Sequence, residues 1–237
     1  MNIAILLTSN DTSGFARRFP NDGEKFITLL KPIRPDWTFK VYPVMDDVFP
    51  ENPDHYDGFI ITGSPASVHD GHAWIERLLA LIRDLHAKRI SLVGVCFGHQ
   101  AIALALGGKV EQNPQGWVLG TETTRIDEPQ PWMQPVANQI TLYAAHKEQV
   151  TVLPEEAKTI GHATGCPNAA YIIADHIMTT EYHPEMTRDF MEELVDEMGG
   201  AISSEIGKKA RQHYELGEEG ALFGLWMANF LETGSAR

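Results

Sequence analysis

Two kinds of hydrophobic pattern alternate along the first half of the chain. Short, almost wholly apolar runs are typical of strands buried on both faces of a parallel sheet, and apolar residues spaced three or four apart are typical of helices. The first pattern predicts strands at 2–7, 37–44, 56–61 and 90–95, and the second predicts helices at 23–33, 73–87 and 97–106. This alternation indicates βαβ units with helices on both faces of a sheet.

After Gly108 the pattern changes to short strands separated by turns, and helical spacing returns near the end. We expect strands at 109–112, 121–126, 139–143, 158–162, 169–174 and 177–181, then helices at 188–198, 201–216 and 221–231. The sequence therefore predicts an α/β fold with a mixed, largely parallel sheet flanked by helices. It contains no repeat and no long linker, so we expect one domain over 1–237.

Composition narrows the class of protein further. A net charge of −13 argues against a nucleic-acid-binding surface, which needs clustered lysine and arginine. No apolar run approaches the roughly 18 residues of a membrane span, and the first run stops at Thr8 and predicts a strand rather than a secretory signal. Two cysteines are too few for a disulfide framework and suit a cytoplasmic protein.

One of those cysteines lies at a predicted strand-to-helix turn. Cys96 is flanked by Gly94 and Gly98, where neighbouring backbone can approach closely because there is no Cβ. This arrangement is typical of a nucleophile held above the carboxyl edge of a sheet. We expect the helix N-terminus and a nearby histidine to lower the pKa of the thiol. The alternative is a small buried cysteine that only fills space.

A candidate base follows another predicted strand. His183 and Glu185 are two residues apart in a segment that Pro184 biases toward extended backbone, so both side chains can point to the same side. Glu185 can then orient the imidazole of His183 toward Cys96, which makes a Cys–His–Glu triad in role.

A third segment ends at the same predicted edge of the sheet. Thr62-Gly63-Ser64-Pro65 follows a strand, and the N–H of Gly63 or Ser64 can assist the N–H of Phe97 in holding an oxyanion. By contrast, His69 and His72 lie in a polar loop with no third ligand, so we expect no metal there.

In these motifs the chain resembles the class I (triad) glutamine amidotransferases, especially stand-alone members similar to the amidotransferase domain of GMP synthase. The resemblance rests on Gly94-Val95-Cys96-Phe97-Gly98-His99-Gln100, His183-Pro184-Glu185 and Thr62-Gly63-Ser64-Pro65. It implies a flavodoxin-like core, a catalytic triad of Cys96, His183 and Glu185, and no cofactor or metal.

The resemblance also implies a binding site for substrate. Gln100 would help to hold glutamine, and Trp117 belongs to a segment that builds a pocket wall. His146 and Glu148 fall where such members carry Ser-His-Gly-Asp, whose acid reads the α-amino group. Family members usually carry glycine at the position of Ser64, and Lys147 and Glu148 are bulkier than the family residues.

Three functions remain open on the sequence. The first is a glutaminase whose ammonia serves a separate synthetase, because the chain contains no phosphate-binding loop of its own. The second is a γ-glutamyl peptidase acting on glutathione-like compounds or other γ-glutamyl metabolites. The third is a non-hydrolytic stress or binding protein with a similar cysteine turn, which the His183–Glu185 pair disfavours.

Overall fold

The computed structural model describes residues 1–9, 11–214 and 219–235, with eleven strands numbered in chain order. The strands are β1 Asn2–Leu7, β2 Thr38–Pro43, β3 Gly58–Ile61, β4 Ser91–Val95, β5 Lys109–Gln112, β6 Val118–Ile126, β7 Gln139–His146, β8 Glu148–Val152, β9 Ala157–Ala163, β10 Cys166–Ile173 and β11 Ile177–Thr180. Nine of them form one sheet in the order β2-β1-β3-β4-β11-β10-β9-β6-β7, and β5 pairs with β8. The sheet is parallel from β2 to β11 and antiparallel beyond it.

Helices cover both faces of this sheet, which confirms the predicted fold class. They are α1 Asp22–Leu30, α2 Ala73–Ala87, α3 Phe97–Ala105, α4 Arg188–Glu197, α5 Ser204–His213 and α6 Gly220–Ser235. Alternate residues of β1 serve the two faces: Ile3 and Ile5 pack in the core under α1 and α6, and Ala4 and Leu6 pack in the core under α2 and α3. None of the helices in the described part of the chain has the length and apolar character needed to cross a bilayer.

The helices α4 and α5 form a third, smaller cluster over the antiparallel end of the sheet. Met191, Val195 and Ala210 pack there against Leu119 and Tyr143 of β6 and β7. The helix predicted at 201–216 begins at Ser204, where Ser203 caps it through a bond to the N–H of Ile206, and its last residues lie outside the described part.

Some sequence expectations were wrong in detail. Strand β8 was missed because Glu148–Val152 is polar and pairs only with β5, so it lacks the apolar pattern of the main sheet. Helix α2 itself begins where expected, at Ala73, with His72 at the N-cap, and the Asp70 carboxylate in the preceding loop accepts a hydrogen bond from the N–H of Ser67.

Candidate active site

The turn between β4 and α3 places Cys96 in a strained conformation. Its φ of 49° and ψ of −104° are outside the regions that a residue with a Cβ normally occupies. A Cβ on Gly94 would lie 2.8 Å from the carbonyl carbon of Gly98, and one on Gly98 would lie 2.5 Å from the Ile61 carbonyl oxygen. Both flanking positions therefore require glycine, as the sequence predicted.

The segment after β11 holds the imidazole of His183 in a fixed orientation. Its Nδ1 lies 2.7 Å from Oε1 of Glu185, and its backbone N–H donates to the carbonyl of Tyr143 at 2.7 Å. The other ring nitrogen, Nε2, is buried and has no hydrogen-bond partner among the described residues. The atom that would exchange a proton with a substrate or nucleophile is thus the unengaged one.

Gly63 joins the cysteine and the histidine. A Cβ built on Gly63 would lie 2.6 Å from Cε1 of His183 and 3.7 Å from Cβ of Cys96. The thiol and the imidazole therefore flank the same glycine, although they are far apart in the sequence. Any larger residue at position 63 would push the imidazole away.

One cavity of about 620 Å³ contains the site. Eight of the residues proposed from the sequence line it: Gly63, Ser64, Cys96, Gln100, Trp117, His146, Glu148 and His183. The other two, Phe97 and Glu185, are buried behind the wall, where Phe97 packs its ring on Trp74 and Glu185 binds His183.

The electrostatics of Cys96 differ from the sequence expectation. Burial is the main cause that raises the pKa of the Cys96 thiol well above its ordinary value. The negative charges of Glu181 and Glu185 raise it further. The N–H of Phe97 donates toward the sulfur and acts in the other direction, but it does not outweigh burial. The structure therefore contradicts the lowered pKa that the sequence led us to expect, because burial outweighs the start of α3.

Two peptide N–H groups beside the cysteine are available to an incoming group. The N–H groups of Gly63 and Ser64 have no acceptor among the residues that the structure describes. Their loop is held by Thr8, whose hydroxyl donates to the Gly63 carbonyl at 2.8 Å and whose own carbonyl accepts from the Ser64 hydroxyl at 2.7 Å. This arrangement fixes the loop and leaves both N–H groups free to donate to a ligand.

A buried carboxylate that sequence reasoning missed organises the other side of the turn. Oε1 of Glu181 accepts from Nε2 of Gln100 at 2.8 Å, and the same nitrogen donates to the Glu148 carbonyl at 2.9 Å. Both amide hydrogens of Gln100 are thus used, which leaves its Oε1 as the group that can meet a ligand. A charged residue at the end of an apolar strand was the available signal for Glu181.

Two histidines complete this buried cluster. Nδ1 of His146 lies 3.3 Å from Oε1 of Glu181, and Nε2 of His99 lies 3.5 Å from Oε2. Burial opposes protonation of His146, but Glu181 and the Glu148 carbonyl outweigh it and raise the pKa of His146. Burial dominates at His99 and lowers its pKa to about 4.

The first turn of α1 contributes two further residues, Asp22 and Lys25, that the sequence did not indicate. Burial is the main cause that raises the pKa of Asp22. Glu185 and His183 are close enough to affect that pKa electrostatically, Glu185 by raising it and His183 by lowering it. The Lys25 ammonium binds the Asp22 carboxylate at 2.8 Å. No signal in the sequence marked this pair, because it lies in an ordinary capped helix start.

The described residues contain no candidate metal site. Within residues 1–9, 11–214 and 219–235, no three or more histidine, cysteine or acidic side chains are grouped so that they could hold an ion.

Comparisons with known proteins identify a matching family and several similar proteins. A family model described as glutamine amidotransferase class-I matches residues 36–195. Gamma-glutamyl peptidase 4 of Arabidopsis thaliana is 29% identical over 224 residues, which cover 90% of this chain and 88% of that protein. GMP synthase (glutamine-hydrolyzing) of Crocosphaera subtropica is 33% identical over 132 residues, which cover 54% of this chain and 23% of that protein.

Solved structures show the same fold. A glutamine amidotransferase from Thermotoga maritima superposes with a TM-score of 0.77 and 15% identity, covering 100% of this chain and 98% of that one. One from Methylobacillus flagellatus gives a TM-score of 0.73 at 19% identity, covering 97% and 93%. Because the family model spans more than half of the sequence, the resemblance drawn from the three motifs is confirmed, and the chain belongs to the class-I glutamine amidotransferase family.

Proposed function

We propose that the protein is a cysteine-dependent hydrolase of γ-glutamyl amide bonds. One observation carries the proposal: Cys96 and the imidazole of His183, held by Glu185, flank Gly63 in a single cavity. A thiol, an oriented base and free amide donors at one point are the groups that acyl transfer requires.

Acylation begins with the neutral thiol of Cys96. His183 accepts its proton at Nε2 as the sulfur attacks the γ-carbonyl carbon of the substrate, because the raised pKa leaves no stable thiolate before substrate enters. The tetrahedral oxyanion is held by the N–H groups of Ser64 and Phe97, with Gly63 as an alternative donor. His183 then gives the proton to the leaving nitrogen, the C–N bond breaks, and a γ-glutamyl thioester remains on Cys96.

Deacylation reverses these roles. His183 removes a proton from water, the resulting hydroxide attacks the thioester, and the sulfur leaves to take the proton back from the imidazole. Glu185 stabilises the imidazolium in both steps through its 2.7 Å bond to Nδ1.

Glutamine is the first candidate substrate. Gln100, Trp117, His146 and Glu148 line the cavity beside Cys96 and are the groups proposed to hold the γ-glutamyl moiety. The products would be glutamate and ammonia, and the ammonia would be passed to a separate synthetase in the cytoplasm. Similarity to glutamine-hydrolyzing GMP synthase supports this alternative.

A γ-glutamyl peptide is the second candidate, and the size of the cavity favours it. A volume of about 620 Å³ lies within the ~300–1,000 Å³ of pockets that enclose drug-sized ligands. Glutamine is much smaller than such ligands, so room remains for an amine larger than ammonia. Similarity to gamma-glutamyl peptidase 4 over most of both chains supports this candidate as well.

The test measures glutamate released from glutamine and from γ-glutamyl dipeptides by wild type, Cys96→Ala and Cys166→Ala. We expect Cys96→Ala to lose turnover by a factor of about 10³ or more, as removal of a nucleophile does. Cys166 is an equally buried free thiol outside the cavity lining, so Cys166→Ala is the matched control and should keep its turnover. Turnover retained by folded Cys96→Ala would refute the proposal, and an inactive wild type would favour the non-hydrolytic alternative.

A further inference from the structure

The cavity has a second region, which the γ-glutamyl moiety does not need. Its lining includes Phe15 and Phe19 from the segment before α1 and Phe190 from α4. The residues proposed to hold the γ-glutamyl moiety come from elsewhere, namely the first turn of α3, the residue before β6, and the strands β7 and β8. The cavity therefore combines two regions of different chemistry.

The three phenylalanines form one aromatic cluster. The ring centroid of Phe190 lies 5.1 Å from those of both Phe15 and Phe19, and the last two are 5.5 Å apart. Tilted and edge-on contacts at these distances are favourable between aromatic rings. An aromatic ring entering this wall would find partners of the same kind already arranged.

Two residues of α1 lie between this aromatic cluster and the catalytic pair His183 and Glu185. Lys25 places its ammonium 3.4 Å from the ring centroid of Phe190 and binds Asp22. Asp22 in turn is within electrostatic reach of both His183 and Glu185. The aromatic cluster and His183 therefore line one cavity and are linked through the Lys25–Asp22 pair.

An exposed positive charge, that of Arg17, lies beside the aromatic cluster and favours a negatively charged group on the ligand. Arg17 lines the same region, is exposed, and forms no ion pair with any residue that the structure describes. An unpaired guanidinium beside an aromatic wall is complementary to a carboxylate attached near an apolar side chain. A C-terminal amino acid with an aromatic side chain has both features.

We propose that the cluster of Phe15, Phe19 and Phe190, with Arg17, is a leaving-group subsite for γ-glutamyl dipeptides whose second residue is aromatic. The inference rests on the proposed γ-glutamyl hydrolase function and specifies its substrate class. The aromatic side chain packs on the phenylalanines, Arg17 binds the terminal carboxylate, and the scissile nitrogen faces His183. Ammonia, as the leaving group of glutamine, makes none of these contacts.

The first experiment compares kcat/KM for γ-glutamyl-phenylalanine and γ-glutamyl-glycine. Burial of an aromatic side chain predicts a preference for the phenylalanine peptide of about 10- to 100-fold. Phe19→Ala and Phe190→Leu should each reduce that ratio by about threefold to tenfold, since they remove part of the wall. Phe39→Leu is the matched control: Phe39 is a half-buried ring on β2 outside the cavity, and its ratio should equal that of wild type.

The second experiment isolates Arg17. Neutralising the substrate carboxylate as γ-glutamyl-phenylalaninamide should lower kcat/KM in wild type by about two- to fivefold, in line with one exposed ion pair. Arg17→Gln should abolish the difference between acid and amide, and the control Arg83→Gln, at an exposed arginine of α2, should retain it. A difference that survives in Arg17→Gln would remove Arg17 from the subsite.

Binding separates failure of the subsite from failure of the chemistry. Calorimetry with Cys96→Ala should give tighter binding of γ-glutamyl-phenylalanine than of γ-glutamyl-glycine, and Phe190→Leu in that background should weaken only this preference. If wild type hydrolyses neither peptide but the preference in binding persists, the hydrolase proposal fails and the subsite stands. Equal binding of the two peptides, or a preference unchanged by Phe19→Ala and Phe190→Leu, would overturn the subsite.

Discussion

Two features of Cys96 have opposite effects on its reactivity: the backbone conformation presents the sulfur, and the raised pKa disfavours the thiolate. Its strained backbone lifts the sulfur to the start of α3, and a conformation of this kind costs about 1–3 kcal/mol. Its burial and the acids Glu181 and Glu185 raise the pKa of the thiol. The proposed mechanism therefore starts from the thiol and transfers its proton to His183 as the sulfur attacks, and it does not start from a preformed ion pair.

The pH dependence of alkylation at Cys96 tests this state. With iodoacetamide, the rate in wild type should keep rising through pH 8.5, the ordinary pKa of a free thiol being about 8.5, without a plateau at neutral pH. Glu181→Gln removes the charge that, after burial, contributes most to the raised pKa and should move the profile to lower pH. A rate that is already constant at pH 6–7 would mean a stable thiolate and would contradict this description of the site.

Three adjacent parallel strands assemble the site at the scale of secondary structure. Strand β4 pairs in parallel with both β3 and β11, so the residues after their carboxyl ends meet at one edge of the sheet. Gly63 follows β3, Cys96 follows β4 and His183 follows β11. The close approach of the first turn of α3 to β3 at Gly98 then brings Cys96 beside Gly63.

Gly98→Ala tests how tightly these elements are held. The new Cβ would lie 2.5 Å from a backbone oxygen of Ile61, which cannot rotate away as a side chain could. We expect a loss of about 1–3 kcal/mol in the free energy of unfolding, measured by urea denaturation. Gly14→Ala is the matched control because nothing lies within 4 Å of the position of its Cβ. Equal stabilities for the two variants would contradict the packing described here.

The same strands explain how much of the molecule the sequence could predict. The apolar runs before Gly63, Cys96 and His183 can be recognised in the sequence one at a time. Because the carboxyl ends of neighbouring parallel strands lie at the same edge of a sheet, the three residues can be placed together without knowledge of side-chain packing. Glu181 was missed because its partners, Gln100 and His146, come from other elements and only the fold brings them together. Asp22 and the three phenylalanines of the subsite were missed for the same reason, since their role depends on a segment folding over the cavity.

Over the whole molecule, burial of polar groups links stability to pH. His99 is completely buried between Thr179 and Glu181, and its pKa falls to about 4. The unfolded chain binds a proton at this histidine near pH 6.5, whereas the folded protein does not until pH 4. The folded state therefore loses stability as the pH falls through this window, and below it no further loss arises from His99.

His99→Gln should reduce the loss of unfolding free energy that accompanies acidification from pH 6.5 to pH 4. Between pH 6.5 and 4, wild type should lose on the order of 3 kcal/mol more unfolding free energy than the variant, since each unit of pKa shift is worth about 1.4 kcal/mol. Urea denaturation at several pH values measures this, and His72→Gln, at an exposed histidine, should retain the wild-type slope. If His99→Gln kept the full acid sensitivity, the buried neutral state of His99 would be wrong.

The most direct test of the account as a whole is detection of the thioester on Cys96. Wild type and the Cys166→Ala control, mixed with a γ-glutamyl anilide and quenched in acid within milliseconds, should gain the mass of one γ-glutamyl group, located by peptide mapping to Cys96. Cys96→Ala should gain none. A γ-glutamyl adduct on another residue, or rapid substrate turnover by wild type with no adduct at Cys96 at any quench time, would contradict the assignment of the nucleophile.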